Sequence, residues 1–301
     1  MEIDTLLSTQ TAAEMLGVSV STVKRWVDDA ILPAHKSPGG HRKILLNDII
    51  RLSRNGTLPP GDFSRMKVNS SVTESKLDVS SDLFYQAIRS QSDLSATNLL
   101  VSAYRSKIPL TSIVDNIIQP AMAKIGYEWE TGILPIFFEH CSTQICLSAI
   151  LELRSLISST SVSEKPVAIG GCSKGDQHLL CTLLVDIVLL DLGWKTINTG
   201  ANTPLQSFFD GIDFYKPKVV WMSVTSIPNI EDFLEDNQKL FEKVCQNHSV
   251  LIMGGQALTL GVRKKLKFHF YGDTMTHLGA YASGLVPLIG LPQRGRPSTS
   301  A

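Results

Sequence analysis

Hydrophobic positions along the 301-residue chain fall into four blocks of different period. From about residue 6 to 54, short apolar sets at helical spacing (Ala12, Met15, Leu16; then Val20, Val23 and Trp26 or Val27) alternate with basic residues. Ser8 or Thr9 is placed to cap a first helix and Gly17 to end it with a tight turn, and Ser19 then caps a second helix. Residues 55–80 are rich in Ser, Pro, Gly and Asn with few spaced apolar positions, which predicts a flexible linker. From Leu83 to about Ile157 apolar residues recur at helical spacing, with Pro109 and Pro120 near expected helix ends, which predicts about four helices as a bundle over 81–160.

After Lys165 short β-prone runs alternate with helical stretches, the pattern of a parallel α/β sheet over 164–290. The expected strands are Val167 to Gly170, Lys195 to Thr199, Val219 to Val224, Val250 to Met253 and Phe268 to Tyr271. Small and turn-forming residues cluster just past strand ends, at 170–176, 199–204 and 254–256, the edge where open α/β sheets bind ligands. Residues 291–301 are expected to be disordered. The fold class is therefore multidomain, α followed by α/β.

Composition narrows function only locally. With 28 Lys+Arg against 28 Asp+Glu the chain has no global field. Residues 21–54 nevertheless hold seven basic and three acidic side chains, a basic patch inside a neutral protein. On the second helix Ser21, Thr22, Lys24 and Arg25 lie on the outer face, and a Pro38-Gly39-Gly40 turn leads into His41, Arg42 and Lys43. These are side-chain types that reach base edges and phosphates. A solvated helical hairpin used for protein contacts has the same charge pattern. The five cysteines, Cys141, Cys146, Cys172, Cys181 and Cys245, form no CxxC pair, so neither a disulfide framework nor a zinc finger is expected. His140 with Cys141 and Cys146 lacks metal-ligand spacing on a helix, and packing is the better reading. No apolar run is long enough to cross a bilayer and the N-terminus has no signal-peptide pattern, so a cytoplasmic protein without membrane partners is expected. Asp176 and His178 fall between the first strand and the next helix; spacing alone leaves them as a cap and an ordinary first-turn histidine. No GxGxxG or GxxxxGK[ST] run accompanies them, which disfavours dinucleotides and ATP.

The string from Thr11 to Lys43, with its turn glycine, Trp26 and Gly-Gly-His-Arg run, resembles the winged helix-turn-helix of MerR-type regulators, which implies double-stranded DNA as partner and affinity that falls with salt. Asp176-x-His178, Ser223-Val224-Thr225 and Gly254-Gly255 resemble the signatures of the flavodoxin-like cobalamin-binding domain. That resemblance implies His178 as the lower axial ligand of cobalt, Asp176 as its orienting carboxylate, and a displaced nucleotide tail threading into the sheet past Ser223, Thr225 and the Gly254-Gly255 turn. Cys181 stands where that family has glycine. Trp129, nine residues, then Glu139-His140 is similar to the cap of the CarH and LitR group of adenosylcobalamin photoreceptors, in the same domain order. By that resemblance Trp129 packs over the adenosyl group, Glu139 accepts from its ribose hydroxyls and His140 lines the pocket. The residue after the tryptophan is commonly histidine there, proposed as the upper ligand after photolysis; here it is Glu130.

The resemblance implies a non-enzymatic, light-responsive repressor with adenosylcobalamin as chromophore, active on DNA as a dark homo-oligomer, by family a tetramer. A light-independent cobalamin sensor uses the same domains and suits Glu130 and Cys181. A corrinoid methyltransferase component shares the last two blocks but has no use for the basic head. A regulator whose module has lost the cofactor is disfavoured by the joint presence of Trp129, Glu139, His140, Asp176 and His178.

Overall fold

The computed structural model describes residues 6–36, 41–54, 56–62, 74–158 and 165–285. The expected Pro38-Gly39-Gly40 turn, the linker from 63 to 73 and the tail after Leu291 lie outside the described residues. The head consists of β1 (Leu6–Ser8), α1 (Thr9–Leu16), α2 (Val20–Asp28), β2 (His35–Lys36), β3 (Arg42–Leu45) and α3 (Leu46–Arg54). Its strands form an antiparallel sheet in the order β1-β3-β2, and β1 was not foreseen. Ser8 caps α1 and Ser19 caps α2, each accepting from a backbone N–H three residues on. Gly17 takes the left-handed conformation at φ 64° and turns one helix into the next. Ala12, Met15, Leu16, Val23, Ile44, Ile49 and Ile50 form the head's buried core.

The bundle follows as α4 (Glu74–Arg89), α5 (Asp93–Arg105), α6 (Leu110–Ile113), a π-helical turn (Val114–Ile118), α7 (Gln119–Glu130) and α8 (Ile136–Ser158). Since α6, the π turn and α7 are continuous, there are four helical rods, as the periodicity predicts. Pro120 has no N–H to contribute, and the turn before it widens, with Gln119 N–H bonding to the Val114 carbonyl. Phe84, Ile88, Leu100, Ile113, Ile117, Ile125, Ile150 and Leu153 fill the space between the rods.

The α/β unit comprises β5 (Val167–Cys172), α9 (Leu179–Asp191), β6 (Lys195–Asn198), α10 (Leu205–Tyr215), β7 (Val219–Ser223), α11 (Ile230–Gln246), β8 (Val250–Gly254), α12 (Leu260–Arg263), β9 (Phe270–Tyr271) and α13 (Met275–Leu285). With β4 (Gly61–Asp62) it makes an all-parallel sheet in the order β4-β9-β8-β7-β5-β6. One face packs α9 and α13, with Val219 and Trp221 pointing to it; the other packs α10 and α11, with Val220 and Met222 pointing there. The sheet reverses its winding between β5 and β7, so loops 173–178 and 224–229 flank the switch point.

The expectation of a flexible linker over 55–80 is corrected at both ends. Leu58 is buried, Gly61 and Asp62 pair with Phe270 and Tyr271, Asp62 meets Arg263 at 3.4 Å, and helix α4 already begins at Glu74. An edge strand draws on backbone hydrogen bonds supplied by its neighbour, which composition does not register. The head is also seated on α13: a Cβ at Gly284 would stand 2.6 Å from Asn47 Oδ1 and 2.9 Å from the Ile50 side chain of α3. At its other end α13 is tied to the bundle. The Asp115 carboxylate, in the π turn, accepts from Met275 N and Thr276 N at 2.8 Å each and from the Thr276 hydroxyl at 2.5 Å. A carboxylate at a helix N-terminus satisfies otherwise orphaned donors and opposes the helix dipole. Bundle and sheet are joined again by Arg154 to the buried Asp186 at 2.6 Å. Replacing Asp115 by Ala should therefore lower stability by about 2 kcal/mol, measured as a reduced urea midpoint; an unchanged midpoint would show that α13 holds its own N-terminus without this residue.

Candidate functional site

The basic face of the head is built by α2 and β3. Burial of Val23 fixes the inner side of α2, which leaves Ser21, Lys24 and Arg25 exposed and Thr22 half-buried. The Ser21 and Thr22 hydroxyls sit 2.7 and 2.8 Å from Ser19 Oγ, so all three hydroxyls form one cluster at the helix start. Arg42 turns back to Asp28 at 2.5 Å and to the Lys24 carbonyl at 3.3 Å. It braces the wing strand against α2, a role for which its charge pattern gave no signal. Between these elements runs a groove of about 630 Å³ lined by Ser8, Thr9, Lys24, Asp28, His41, Arg42 and Lys43. Ser8 and Thr9, read from sequence only as caps, belong to its wall.

At the switch point of the sheet stands the Asp176–His178 pair. Asp176 is fully buried while the His178 side chain is 55% exposed. One carboxylate oxygen accepts from His178 N at 3.1 Å and meets His178 Nδ1 at 2.7 Å. The other accepts from Thr225 N at 2.5 Å and Ser226 N at 3.3 Å. The Asp176 carbonyl takes a bond from Asn202 N at 2.7 Å, and Asn202 Oδ1 takes one from Gly175 N at 2.7 Å. Gly175 has φ 84°, and a Cβ there would stand 2.8 Å from Pro228. His178, not Asp176, occupies the N-cap position of α9, so the simple capping alternative is replaced by an Asx-type loop that aims the ring. With its Nδ1 proton given to Asp176, the imidazole keeps the Nε2 lone pair for a metal, the carboxylate-histidine arrangement of metal sites. Gly175 and Asn202 fall in the turn runs at 170–176 and 199–204 without being singled out there, and Ser226 was missed in the sequence because it acts through its backbone amide alone.

The cap residues sit where α7 turns into α8. Trp129 is 46% exposed, beside exposed Tyr127, Ile133, Ile136, Phe137 and Phe138, an apolar surface of the kind that marks a binding face. Glu139 is half-buried, accepts from the Thr143 hydroxyl at 3.0 Å and has His140 Nε2 at 3.5 Å. Glu130 is exposed. Neighbouring Glu128 instead belongs to the bundle: it accepts from the Tyr85 hydroxyl and from Arg89 Nε, which together with Lys124 hold its carboxyl below the usual range against the opposing effect of burial. Among the described residues there is no group of three or more His, Cys, Asp or Glu placed to hold a metal on protein ligands alone, and no helix long and apolar enough to cross a membrane.

A corrin ring with a cobalt ion fits the exposed imidazole, the buried carboxylate behind it and the apolar α7–α8 surface. The channel expected for the nucleotide tail does not fit. Ser223 is buried, and its carbonyl accepts from Ser173 N. A Cβ at Gly255 would stand 2.2 Å from the Val224 carbonyl oxygen, and one at Gly254 3.1 Å from that of Gly272, so the chain's own backbone takes the room these glycines leave. Thr225, expected beside the tail, donates its hydroxyl to Cys181 Sγ at 3.3 Å.

Comparison with known proteins agrees with this division of the chain. A family model described as a helix-turn-helix domain matches residues 6–62, and one described as a B12 binding domain matches residues 81–154, the helical bundle. The chain is 19% identical over 283 residues to the HTH-type transcriptional repressor CarH of Myxococcus xanthus, spanning 86% of this chain and 93% of that protein. It is 24% identical over 238 residues to methionine synthase of Mycobacterium tuberculosis, covering 76% of this chain but 20% of that enzyme. In fold, the monomethylamine corrinoid protein of Methanosarcina barkeri superposes with a TM-score of 0.59 at 15% identity, over 71% of this chain and 100% of that one. The chain thus carries a helix-turn-helix domain ahead of a B12 binding domain and is similar to the CarH repressor over most of its length.

The thiols near the site are unreactive by environment. Burial pushes Cys172 up to about 12 and also raises Cys181, whose bond from Thr225 only partly offsets it. Because a raised pKa leaves little thiolate at pH 8, Cys172 and Cys181 should resist iodoacetamide in the folded protein and react once it is unfolded in urea. Mass spectrometry of the alkylated peptides measures this, and labelling of Cys181 in the native protein within minutes would contradict the packing described.

Proposed function

We propose that this regulator is a repressor that binds double-stranded DNA through α2 and β3, holds adenosylcobalamin between bundle and sheet, and responds to light. The observation that carries the reading is the pairing, on one chain, of an exposed basic recognition helix with a solvent-facing imidazole whose other nitrogen is held by a buried carboxylate. When bound, the cofactor supplies a light-labile cobalt-carbon bond. His178 would ligate the cobalt, and Asp176 would fix the tautomer and orientation of its ring. Trp129 offers a flat apolar wall to the upper face, Glu139 accepts hydroxyl donors there and His140 lines the same surface. Ser21, Thr22, Lys24 and Arg25 face the major groove, and His41 and Lys43 reach flanking phosphates while Arg42 braces the wing.

Helix α13 offers a route from module to head. Its N-terminus is held by Asp115 of the bundle and its C-terminal Gly284 lies on α3 of the head, so a displaced bundle acts on the head through one rigid element. Self-association in the dark multiplies weak head contacts by effective concentration, and its loss on illumination lowers affinity. A cobalamin sensor without photochemistry is the second reading, favoured by Glu130, exposed and carboxylate-bearing at the place of the expected upper histidine. A methyltransferase subunit has no use for the head.

Size-exclusion chromatography of the full chain with adenosylcobalamin, in darkness and after green light, tests the proposal. A dark, cofactor-bearing oligomer that becomes smaller on illumination is expected; bound cofactor with a size indifferent to light transfers the function to vitamin sensing. Replacing Lys24 or Arg25 by Ala should weaken DNA binding and, where the side chain meets a phosphate, lower the salt slope by about one, read from binding isotherms at several salt concentrations; an unchanged isotherm in both variants would remove α2 from the DNA interface.

A further inference from the structure

The space beneath His178, between β5, β7 and α9, is filled in three layers by the chain itself. Deepest lies Trp221, 1% exposed and paired across the sheet with Gly170. A Cβ at residue 170 would stand 2.2 Å from indole Cδ2, so the ring lies flat over β5 and only glycine leaves it room. The indole N–H donates to Thr182 Oγ1 at 2.9 Å, that hydroxyl donates to Asn198 Oδ1 at 3.1 Å, and Asn198 Nδ2 returns to the Thr182 carbonyl at 3.2 Å. In the middle layer Cys172 Sγ reaches the His178 carbonyl at 3.4 Å, and Cys181 Sγ accepts from the Thr225 hydroxyl at 3.3 Å. At the top, Val224 N donates to the Gly254 carbonyl at 2.9 Å and Ala257 N to the Val224 carbonyl at 3.2 Å, which closes the edge between β7 and β8.

The polar side-chain atoms of these layers find their partners within the chain. Opening the layers means relocating a buried indole and leaving Thr182 and Asn198 short of partners, and both changes are unfavourable. A cavity of about 120 Å³ does lie near the switch point, but it is lined by Thr203, Phe208, Met222 and Phe233, on the α10 and α11 face of the sheet, away from Trp221. It is small beside the roughly 300 to 1,000 Å³ of ordinary ligand pockets.

We propose that a corrinoid ligated by His178 keeps its nucleotide tail outside the sheet, because Trp221, Cys181 and Thr182 fill the channel below the histidine. A tail outside the sheet adds nothing to binding, and His178 can take the lower position of complete cobalamin only by displacing the cofactor's own base, so a tail-less corrinoid, with no base to displace, is bound at least as tightly. The inference rests on the reading of His178 as a cobalt ligand. It replaces the expectation that Ser223, Gly254 and Gly255 line the tail.

Titration of the full chain with aquocobalamin and, separately, aquocobinamide, followed by absorbance, tests this. Cobinamide should bind at least as tightly as cobalamin, whereas a tail housed in the sheet would favour cobalamin by about tenfold or more; the latter result overturns the proposal. Reduced to cobalt(II), cobinamide has no base of its own, so splitting by one nitrogen in its electron paramagnetic resonance spectrum must come from the protein and should vanish in His178→Ala. If neither corrinoid binds, the cobalt-ligand reading itself fails and the tail inference with it, an outcome distinct from a preference for cobalamin. The Trp221→Ala/Cys181→Gly variant should shift the ratio of the two dissociation constants toward cobalamin by at least about tenfold relative to wild type; a folded variant with no such shift removes these side chains as the cause. The wild-type comparison stands whether or not that variant folds.

Discussion

One buried carboxylate organises the ligand edge of this protein. Asp176 has no exposed surface, and its two oxygens meet four N–H groups, two of His178 and the backbone amides of Thr225 and Ser226. An ion in that position is tolerable only because every lone pair is directed at a donor. The same bonds fix three things: the tilt of the imidazole, the path of the loop after β5, and the docking of the loop after β7 against it. Asn202 adds the loop after β6 through a bond to the Asp176 carbonyl. A switch point whose three loops share one carboxylate is a rigid platform, and the atom it presents outward is the remaining histidine nitrogen.

The three units are joined as firmly as that edge is built. Buried apolar residues of the head, the bundle and the α9–α13 face of the sheet run into one connected cluster, and discrete polar latches and one short strand add to it. Asp115 holds the start of α13, Arg154 holds Asp186, and Asp62 extends the sheet while pairing with Arg263, whose guanidinium lies 4.2 Å above the Tyr271 ring. Each of these polar contacts is worth a few kcal/mol at most and adds to the apolar packing. Helix α13 is common to two of these junctions, touching the bundle at one end and α3 at the other.

The sheet uses its two faces unequally. Toward α9 it packs Trp221 over Gly170 with its polar atoms matched, while toward α10 and α11 it leaves a small cavity under the loops. Resemblance of motifs alone assigns Ser223 and the two glycines to a ligand channel; the packing assigns them to the chain's own backbone. Glycine at 255 is required because a Cβ would strike the Val224 carbonyl, which is a reason internal to the fold.

Much of this was legible in the residues. Helical spacing and caps at Ser8, Ser19 and Gly17 determine the head, the apolar period from Leu83 to Ile157 determines four rods, and β-prone runs after Lys165 determine the order of the five parallel strands read there. These are local properties, carried by neighbours within a few positions. Spacing alone leaves Asp176 and His178 as a cap and an ordinary first-turn histidine, and it is the resemblance to the cobalamin-binding signature that singles out the pair. What the sequence does not carry is any relation between distant positions. That β4 joins the sheet depends on backbone groups that have no side-chain signature. That Arg42 braces Asp28, that Thr225 and Asn202 close around Asp176, and that Trp221 lies over Gly170 are decided only when strands far apart in the chain are laid side by side, since the energy of each contact belongs to a pair and not to either residue alone.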